Sequence, residues 1–358
     1  MLDRYGWSET LRQQFEPHAA LGLVPARVLV QQRGRYEIVT AGGELSATLA
    51  GRFAHAARDG GYPVTGDWVA VSRPAGDGAT LIHAVLPRAT TFVRREAGPG
   101  APRGQVVAAN ADVALLVASL NADLSLRRIE RYLAAAWESG AAPVIVLTKA
   151  DLCPETDERM AEVEAIAFGT PVHALSAITG DGLGALKAHL APGRTAVLLG
   201  SSGVGKSTLV NALAGREVMA VREIRGDDTG RHTTTHRELI LMPDGALILD
   251  TPGMRELGLW DAGDGVSATF AEIETLAAQC RFHDCRHRSE PGCAVRAALA
   301  DGSLAAERWE AYGKLQRELR FEHNKENWQA RMETRRDRMR RQKEGRARMK
   351  FKMKGDED

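Results

Sequence analysis

Gly200, Gly205, Lys206 and Ser207 stand in the spacing Gly-x-x-x-x-Gly-Lys-Ser within the stretch GSSGVGKSTLVNALAG. Glycines at this spacing let successive backbone N–H groups converge on phosphate oxygens, the lysine neutralises the β and γ phosphates, and the Ser207 hydroxyl is placed to ligate Mg2+. The run Gly200, Ser201, Ser202, Gly203, Val204, Gly205, Lys206, Ser207 and Thr208 therefore reads as a phosphate-binding loop, since an apolar strand (TAVLLG) precedes it and a helical segment follows. Asp250-Thr251-Pro252-Gly253 closes a second apolar run; Asp250 suits a carboxylate beside Mg2+, and the Gly253 N–H suits the γ-phosphate. Thr148-Lys149-Ala150-Asp151 closes a third. A carboxylate at Asp151 can accept both the N1–H and the 2-amino hydrogens of guanine, whereas adenine offers neither, and the wrong base would leave a charged acceptor unpaired. Lys149 can lay its aliphatic stem along the ring face. Ser176 and Ala177, in LSAITGDG, are expected to complete the base side, so the ligand is GTP or GDP.

A second constellation is Cys280-x4-Cys285-x-His287-x5-Cys293, with His283 a competing imidazole. Three thiolates and one imidazole fit a closed tetrahedral structural site for a single Zn2+. Of four cysteines, three crowd into this segment of a chain with no export signal, which favours metal over disulfides.

Which elements must position these groups? Short alternating runs from Val24 to Val93 (ARVLVQQRGRYEIVTAGG, ELSATLAG, PVTGDWVAV, ATLIHAVLP), broken by Gly, Asp and Pro, predict a small antiparallel β-barrel behind a short helical leader. REAGPGAPRGQ, residues 94–105, reads as a linker. From Val106 to Leu257 buried strands alternate with amphipathic helices, the signature of a mostly parallel, doubly wound α/β sheet whose ligands lie at the strands' carboxyl ends. Residues 258–330 are expected to be helical around the cysteines. The final segment, 331–358, is a basic arm: residues 331–354 hold 12 Lys/Arg against 3 Asp/Glu in a chain of net charge +1. That density suits RNA phosphates. Arg27, Arg33, Arg35, Arg52 and Arg58 with Tyr36, Phe53, Tyr62 and Trp68 give the barrel a possible nucleic-acid face. No apolar stretch is long enough to cross a bilayer, so no membrane partner is expected, and the cytoplasm is the expected compartment. Nothing demands a dimer, so a monomer is expected.

The motif order is guanine reader, SA loop, phosphate loop, the Thr-rich GRHTTT, then DTPG. GTP-binding domains ordinarily place the phosphate loop first, so the order here is circularly permuted. A compact α/β domain tolerates this because its ends lie close together and each motif keeps its strand tip. The barrel, the permuted motifs, GRHTTT and the cysteine segment, in this order, resemble the RsgA/YjeQ family of circularly permuted GTPases that act in small ribosomal subunit maturation. The resemblance implies an OB-fold N-terminal domain contacting rRNA, a P-loop GTPase domain stimulated by the small ribosomal subunit, and a C-terminal helical zinc-binding domain. It also favours His287 over His283 as the ligand.

Two departures bear on activity. Met254 follows Gly253 where many GTPases carry a water-orienting Gln, which leaves His232 of GRHTTT as the candidate for orienting or deprotonating the attacking water. A solvent-exposed loop residue or an rRNA contact is the competing reading of His232. One of Thr233 to Thr235, with Thr234 preferred, is expected to reach Mg2+. Thr148 replaces the usual Asn with a shorter side chain, so the bridge from base to phosphate loop is open to question. Two functions follow: a ribosome-stimulated GTPase whose hydrolysis drives release from the maturing subunit, or a GTP-dependent RNA-binding scaffold with negligible turnover. A P-loop kinase acting on a metabolite fits neither Asp151 nor the arm.

Overall fold

The computed structural model describes residues 1–32, 34–57, 61–72, 79–95, 104–121, 124–219, 237–250, 263–321 and 323. Strands β1 (Val24–Gln32), β2 (Arg35–Thr40), β3 (Gly43–Leu49), β4 (Trp68–Val71) and β5 (Thr80–Val85) form the N-terminal barrel. The strand order β1-β2-β3-β5-β4 closes through a β1–β4 pairing, all antiparallel except β3–β5. Side chains two apart share a face of a strand. Ala26 and Val28, Tyr36 and Ile38, and Val69 and Val71 accordingly form one apolar interior with Ala47 and Ile82. The leader is α1 (Glu9–Ala19), capped by the Ser8 hydroxyl accepting from the Leu11 N–H, and Trp7 and Phe15 seat it on the barrel beside Trp68. A short α2 (Gly51–Ala56) follows β3.

Beyond the barrel, β6 (Thr91–Arg95) and β7 (Gly104–Ala109) pair as a hairpin. The segment expected as a linker over 94–105 thus has strand at both ends. The Gly/Pro signal concealed this, because Phe92, Val107 and Ala108 lie in the main core and hold the two arms there.

Next come β8 (Val113–Ser119), α3 (Leu126–Ser139), β9 (Ala142–Thr148), α4 (Thr156–Glu164), β10 (Val172–Ala174), α5 (Leu183–Lys187), β11 (Thr195–Leu199), α6 (Lys206–Ala214), β12 (Arg237–Leu241) and β13 (Leu247–Asp250). Their order is β10-β9-β8-β11-β13-β12, parallel except for β12. Helices cover both faces, so the central strands β8 and β11 are almost continuously apolar, as parallel sheets require. Because β12 also pairs antiparallel with β1, Val30 opposite Glu238, barrel and α/β domain share one eleven-stranded sheet.

Arg27 locks that junction. It is buried to 2% exposure, and its guanidinium donates to the backbone oxygens of Tyr5, Gly66 and Asn110 and to Thr195 Oγ1. Burial pushes its pKa down to about 10, against the pull of Asp112 and Asp67. The expectation that Arg27, Tyr36 and Trp68 face RNA is therefore corrected: all three are interior, since a barrel of five short strands needs large side chains and must mate with its neighbour. Arg35 and Arg52 are exposed; Arg33 and Arg58 lie outside the described residues. Arg27→Met should cost about 3–5 kcal/mol by leaving buried acceptors unpaired. Urea titration checks this, with a loss under 1 kcal/mol contradicting the role.

The C-terminal region is helical: α7 (Gly263–Thr269), α8 (Ala271–Ala278), α9 (Ala294–Asp301) and α10 over 306–321. It packs on α3. Gly265 lies so close that a Cβ there would overlap the Ala134 carbonyl oxygen. Arg308 of α10 is buried over the Phe270 ring and donates to Glu130 of α3 (2.8 Å), Glu272 (2.7 Å) and the Thr269 carbonyl (2.5 Å).

Candidate functional site

The phosphate loop connects β11 to α6, and its backbone needs its glycines. Gly203 and Gly205 have φ of 78° and 93°, and a Cβ on Gly200 would overlap the Val117 carbonyl oxygen of β8. Gly205 is the N-cap of α6, so the loop's N–H groups and the positive end of the helix face the same way. Val204 is buried and pins the loop in the core beneath α6, while Ser202 and Gly203 are exposed. Lys206 Nζ lies 2.7 Å from the Gly200 oxygen and 2.5 Å from the Ser201 oxygen. Ser207 and Thr208 follow in the first turn of α6. Asp250, buried, ends β13, the parallel neighbour of β11 on the other flank. The loop, Lys206, Ser207 and Asp250 thus gather at one rim of the sheet, suited to a Mg2+-bound polyphosphate.

The same rim carries the residues expected on the base side. Thr148 is the last residue of β9, and its hydroxyl lies 2.5 Å from the Val204 oxygen and 3.2 Å from the Ala118 oxygen. Short as it is, this side chain ties the strand to the phosphate loop. Lys149 takes a left-handed conformation (φ 62°) and sends Nζ to the Gly203 oxygen, 2.9 Å away. A non-glycine residue held there is uncommon and costs energy that the surroundings must supply. Asp151 sits exposed in the 3-10 turn Ala150–Leu152 that follows. In the Ser176 loop, the buried hydroxyl of Ser176 accepts from the N–H groups of Ile178 and Thr179, shaping a turn that carries Ala177. The Ala150 N–H donates to the Leu175 oxygen, so the two base-side loops are bonded to each other.

His232, Thr233 to Thr235, Gly253, Met254 and the arm over 331–358 lie outside the described residues. Sequence reasoning missed Arg128, whose Nη1 donates to Ser201 Oγ at 2.9 Å. The signal was present: Arg127 and Arg128 occupy the first turn of α3 with no acidic residue there, the end of a helix that disfavours cations. Ile178 and Leu152, on the same two loops, are 78% and 70% exposed.

Cys280, Cys285, His287 and Cys293 bring their ligand atoms within 4.8 Å of one another. Cys280 Sγ lies 3.9 Å from Cys293 Sγ, and His287 Nδ1 lies 3.6 and 3.4 Å from those two sulfurs. Donors about 2.0–2.3 Å from a central ion in a tetrahedron are separated by distances of this order, so the cluster could hold one metal ion with no open position. Trp309 packs edge-on to the His287 ring. The ligand loop is held by Glu290, whose carboxylate accepts from the backbone N–H groups of Arg286, Arg288 and Ser289. Backbone N–H bonds, its own first and then that of Arg288, hold its pKa down to about 2. Its stabilisation is therefore fully present above the ordinary glutamate value of 4.5 and is lost as pH falls through about 2. Amide exchange at Arg286, Arg288 and Ser289 should quicken in Glu290→Gln at pH 7. Identical exchange at pH 7 would contradict this.

The family described as RsgA GTPase matches residues 85–260. A relative from Streptomyces coelicolor, "Small ribosomal subunit biogenesis GTPase RsgA", is 48% identical over 358 residues, covering 99% of this chain and 96% of its own length. Another of the same name from Syntrophotalea carbinolica is 48% identical over 328 residues, covering 89% of each. Among solved structures, YjeQ from Thermotoga maritima is similar with a TM-score of 0.63 and 29% identity, across 83% of this chain and 98% of that one.

Proposed function

The chain belongs to the RsgA GTPase family, and on that premise we propose that this GTP-hydrolysing enzyme binds the small ribosomal subunit through its rRNA, assists its late maturation and leaves when GTP is hydrolysed. The observation that carries the nucleotide reading is the joint between base side and phosphate side: Thr148 on the Val204 oxygen and Lys149 on the Gly203 oxygen. One rigid unit then measures a base and a phosphate chain together, as discrimination among nucleotides demands.

In this reading Asp151 accepts from guanine, Lys149 covers its face, and Ser176 and Ala177 close the edge. The backbone of residues 200–208 and the Gly253 N–H receive the phosphates. Ser207, Thr234 and Asp250 would hold Mg2+, which would supply charge neutralisation to the phosphates. His232 orients the attacking water, because Met254 offers no polar group where water must be held. Cys280, Cys285, His287 and Cys293 hold Zn2+, a structural ion in a closed thiolate-rich set. The exposed Arg35 and Arg52 of the barrel and the basic arm meet rRNA phosphates. Among the described residues no helix is long and apolar enough to cross a membrane. The reading is of a monomer that meets ribosomal subunits in the cytoplasm.

The test is GTP hydrolysis by the purified protein alone, with small subunits and with large subunits, ATP serving as control. Stimulation by the small subunit only is expected, and His232→Ala should remove about 100-fold of the stimulated rate while sparing GTP affinity. Tight GTP-dependent subunit binding without turnover would favour the scaffold. No binding would refute the assignment of the partner.

A further inference from the structure

Two cations hold a single residue of the phosphate loop. Lys206 bonds the Ser201 carbonyl, and Arg128 of α3 bonds the Ser201 hydroxyl. Arg128 reaches it because β8 and β11 are parallel neighbours, Leu116 beside Leu199. The helices that leave their carboxyl ends, α3 and α6, begin at the same rim and pack on opposite faces of the sheet. Both helix N-termini are positive, and α3 places Arg127 and Arg128 in its first turn, a turn that holds no acidic residue and whose N-cap, Ser125, makes no side-chain capping bond. This placement works against the helix dipole. Local rules broken in this way mark places where function outweighs stability.

Two residues further along, Glu130 is gripped by Arg308. Residues two apart do not face the same way on a helix. The helix thus has one side on the phosphate loop and another on the C-terminal helices. A brace for α3 already exists in Arg308, and Arg128 adds a bond to Ser201, one of the two loop residues whose carbonyls anchor Lys206.

We propose that Arg128 is a positioning residue of the nucleotide site: by holding Ser201 it fixes the Gly200–Gly203 limb and the lysine anchored on it, and so favours the triphosphate over the diphosphate. The proposal rests on the reading of residues 200–208 as a phosphate loop. Lys206 serves the terminal phosphates, so disorder in its anchor falls more heavily on GTP than on GDP. The greater charge of GTP adds to the difference, since the Arg128 guanidinium contributes to the field at the loop whether or not it touches a phosphate oxygen.

The experiment measures GTP and GDP affinity with Mg2+, and kcat and KM for GTP, in full-length Arg128→Ala, Arg128→Lys, Ser201→Ala, the Arg128→Ala/Ser201→Ala double variant and Lys206→Ala. Arg128→Ala should weaken GTP about tenfold and GDP less than about threefold, as expected for one charge-assisted bond that matters most to the triphosphate. Arg128→Lys should recover most of the loss. The double variant should be no worse than Arg128→Ala, because the two side chains act as one unit. Equal losses for both nucleotides, or additive losses in the double variant, would overturn the proposal. If Arg128→Ala does not fold, Ser201→Ala, which removes a single hydroxyl, decides the matter: an unchanged GTP to GDP ratio overturns it. Wild-type GTP binding by Lys206→Ala would instead bring down the phosphate-loop reading itself, whereas its loss beside an unaffected Arg128→Ala would sink Arg128 alone.

Discussion

Replacing Asp151 by Asn should weaken GTP binding roughly 100- to 1,000-fold and raise affinity for xanthosine triphosphate. The carboxylate offers two acceptor oxygens to two donors of guanine, N1–H and the 2-amino group. Asparagine keeps one acceptor and turns its amide donor toward a guanine donor, so two charge-assisted bonds become one neutral bond and one repulsive contact. Xanthine carries a carbonyl where guanine carries the amino group, and the Asn amide can donate to it. The fold should be unaffected, because Asp151 is exposed in the turn after β9. Binding titrations with GTP, XTP and ATP check this. Unchanged GTP affinity would mean that the Thr148–Asp151 segment does not read the base.

Removing the metal should be still more damaging to stability. Helices α7, α8 and α9 have seven, eight and eight residues, below the roughly 12–15 at which an isolated helix becomes even marginal in water. Their core is small, and Cys293 is itself part of it while capping α9 through the Arg296 N–H. An ion held by Cys280, Cys285, His287 and Cys293 ties the end of α8 to the start of α9. Structural Zn2+ in comparable small sites contributes about 10–16 kcal/mol of apparent binding energy that is also folding energy. Chelation, or Cys293→Ala, should therefore unfold residues 263–321 while leaving the sheet intact. Limited proteolysis and the near-ultraviolet signal of Trp309, stacked on Tyr312, would report it. A chelated protein that keeps 263–321 protected would show that packing alone suffices there.

Much of this was legible in the sequence where chemistry forces a local pattern. Gly200, Gly203 and Gly205 announce the loop because no other residue satisfies that backbone beside β8, and the strand tips carrying Thr148 and Asp250 follow from apolar runs that parallel sheets demand. The four side chains that could hold a metal ion stand together. What was not legible depends on contacts between distant segments. Arg27 reads as a surface cation until Tyr5, Asn110 and Thr195 close around it, and Arg308 reads as an ordinary helical arginine until Glu130 and Glu272 are brought to it. The Thr148 bridge is open to question when its reach is judged from the side chain alone. The backbone of Val204 comes to meet it.

The pairing of Val30 with Glu238 also sets a timetable for synthesis. A nascent chain completes the barrel early, yet the edge of β1 at Val30 and Gln31 stays open until residues 237–241 have been made. Strand β11 likewise waits for β13 to cover its second flank. Both exposed edges are templates for wrong pairing while they wait, and closing them requires joining segments far apart in the chain, a slow kind of contact. The phosphate loop is therefore finished only when nearly the whole sheet has emerged, so a chain stopped short of β13 cannot act as a partly working switch.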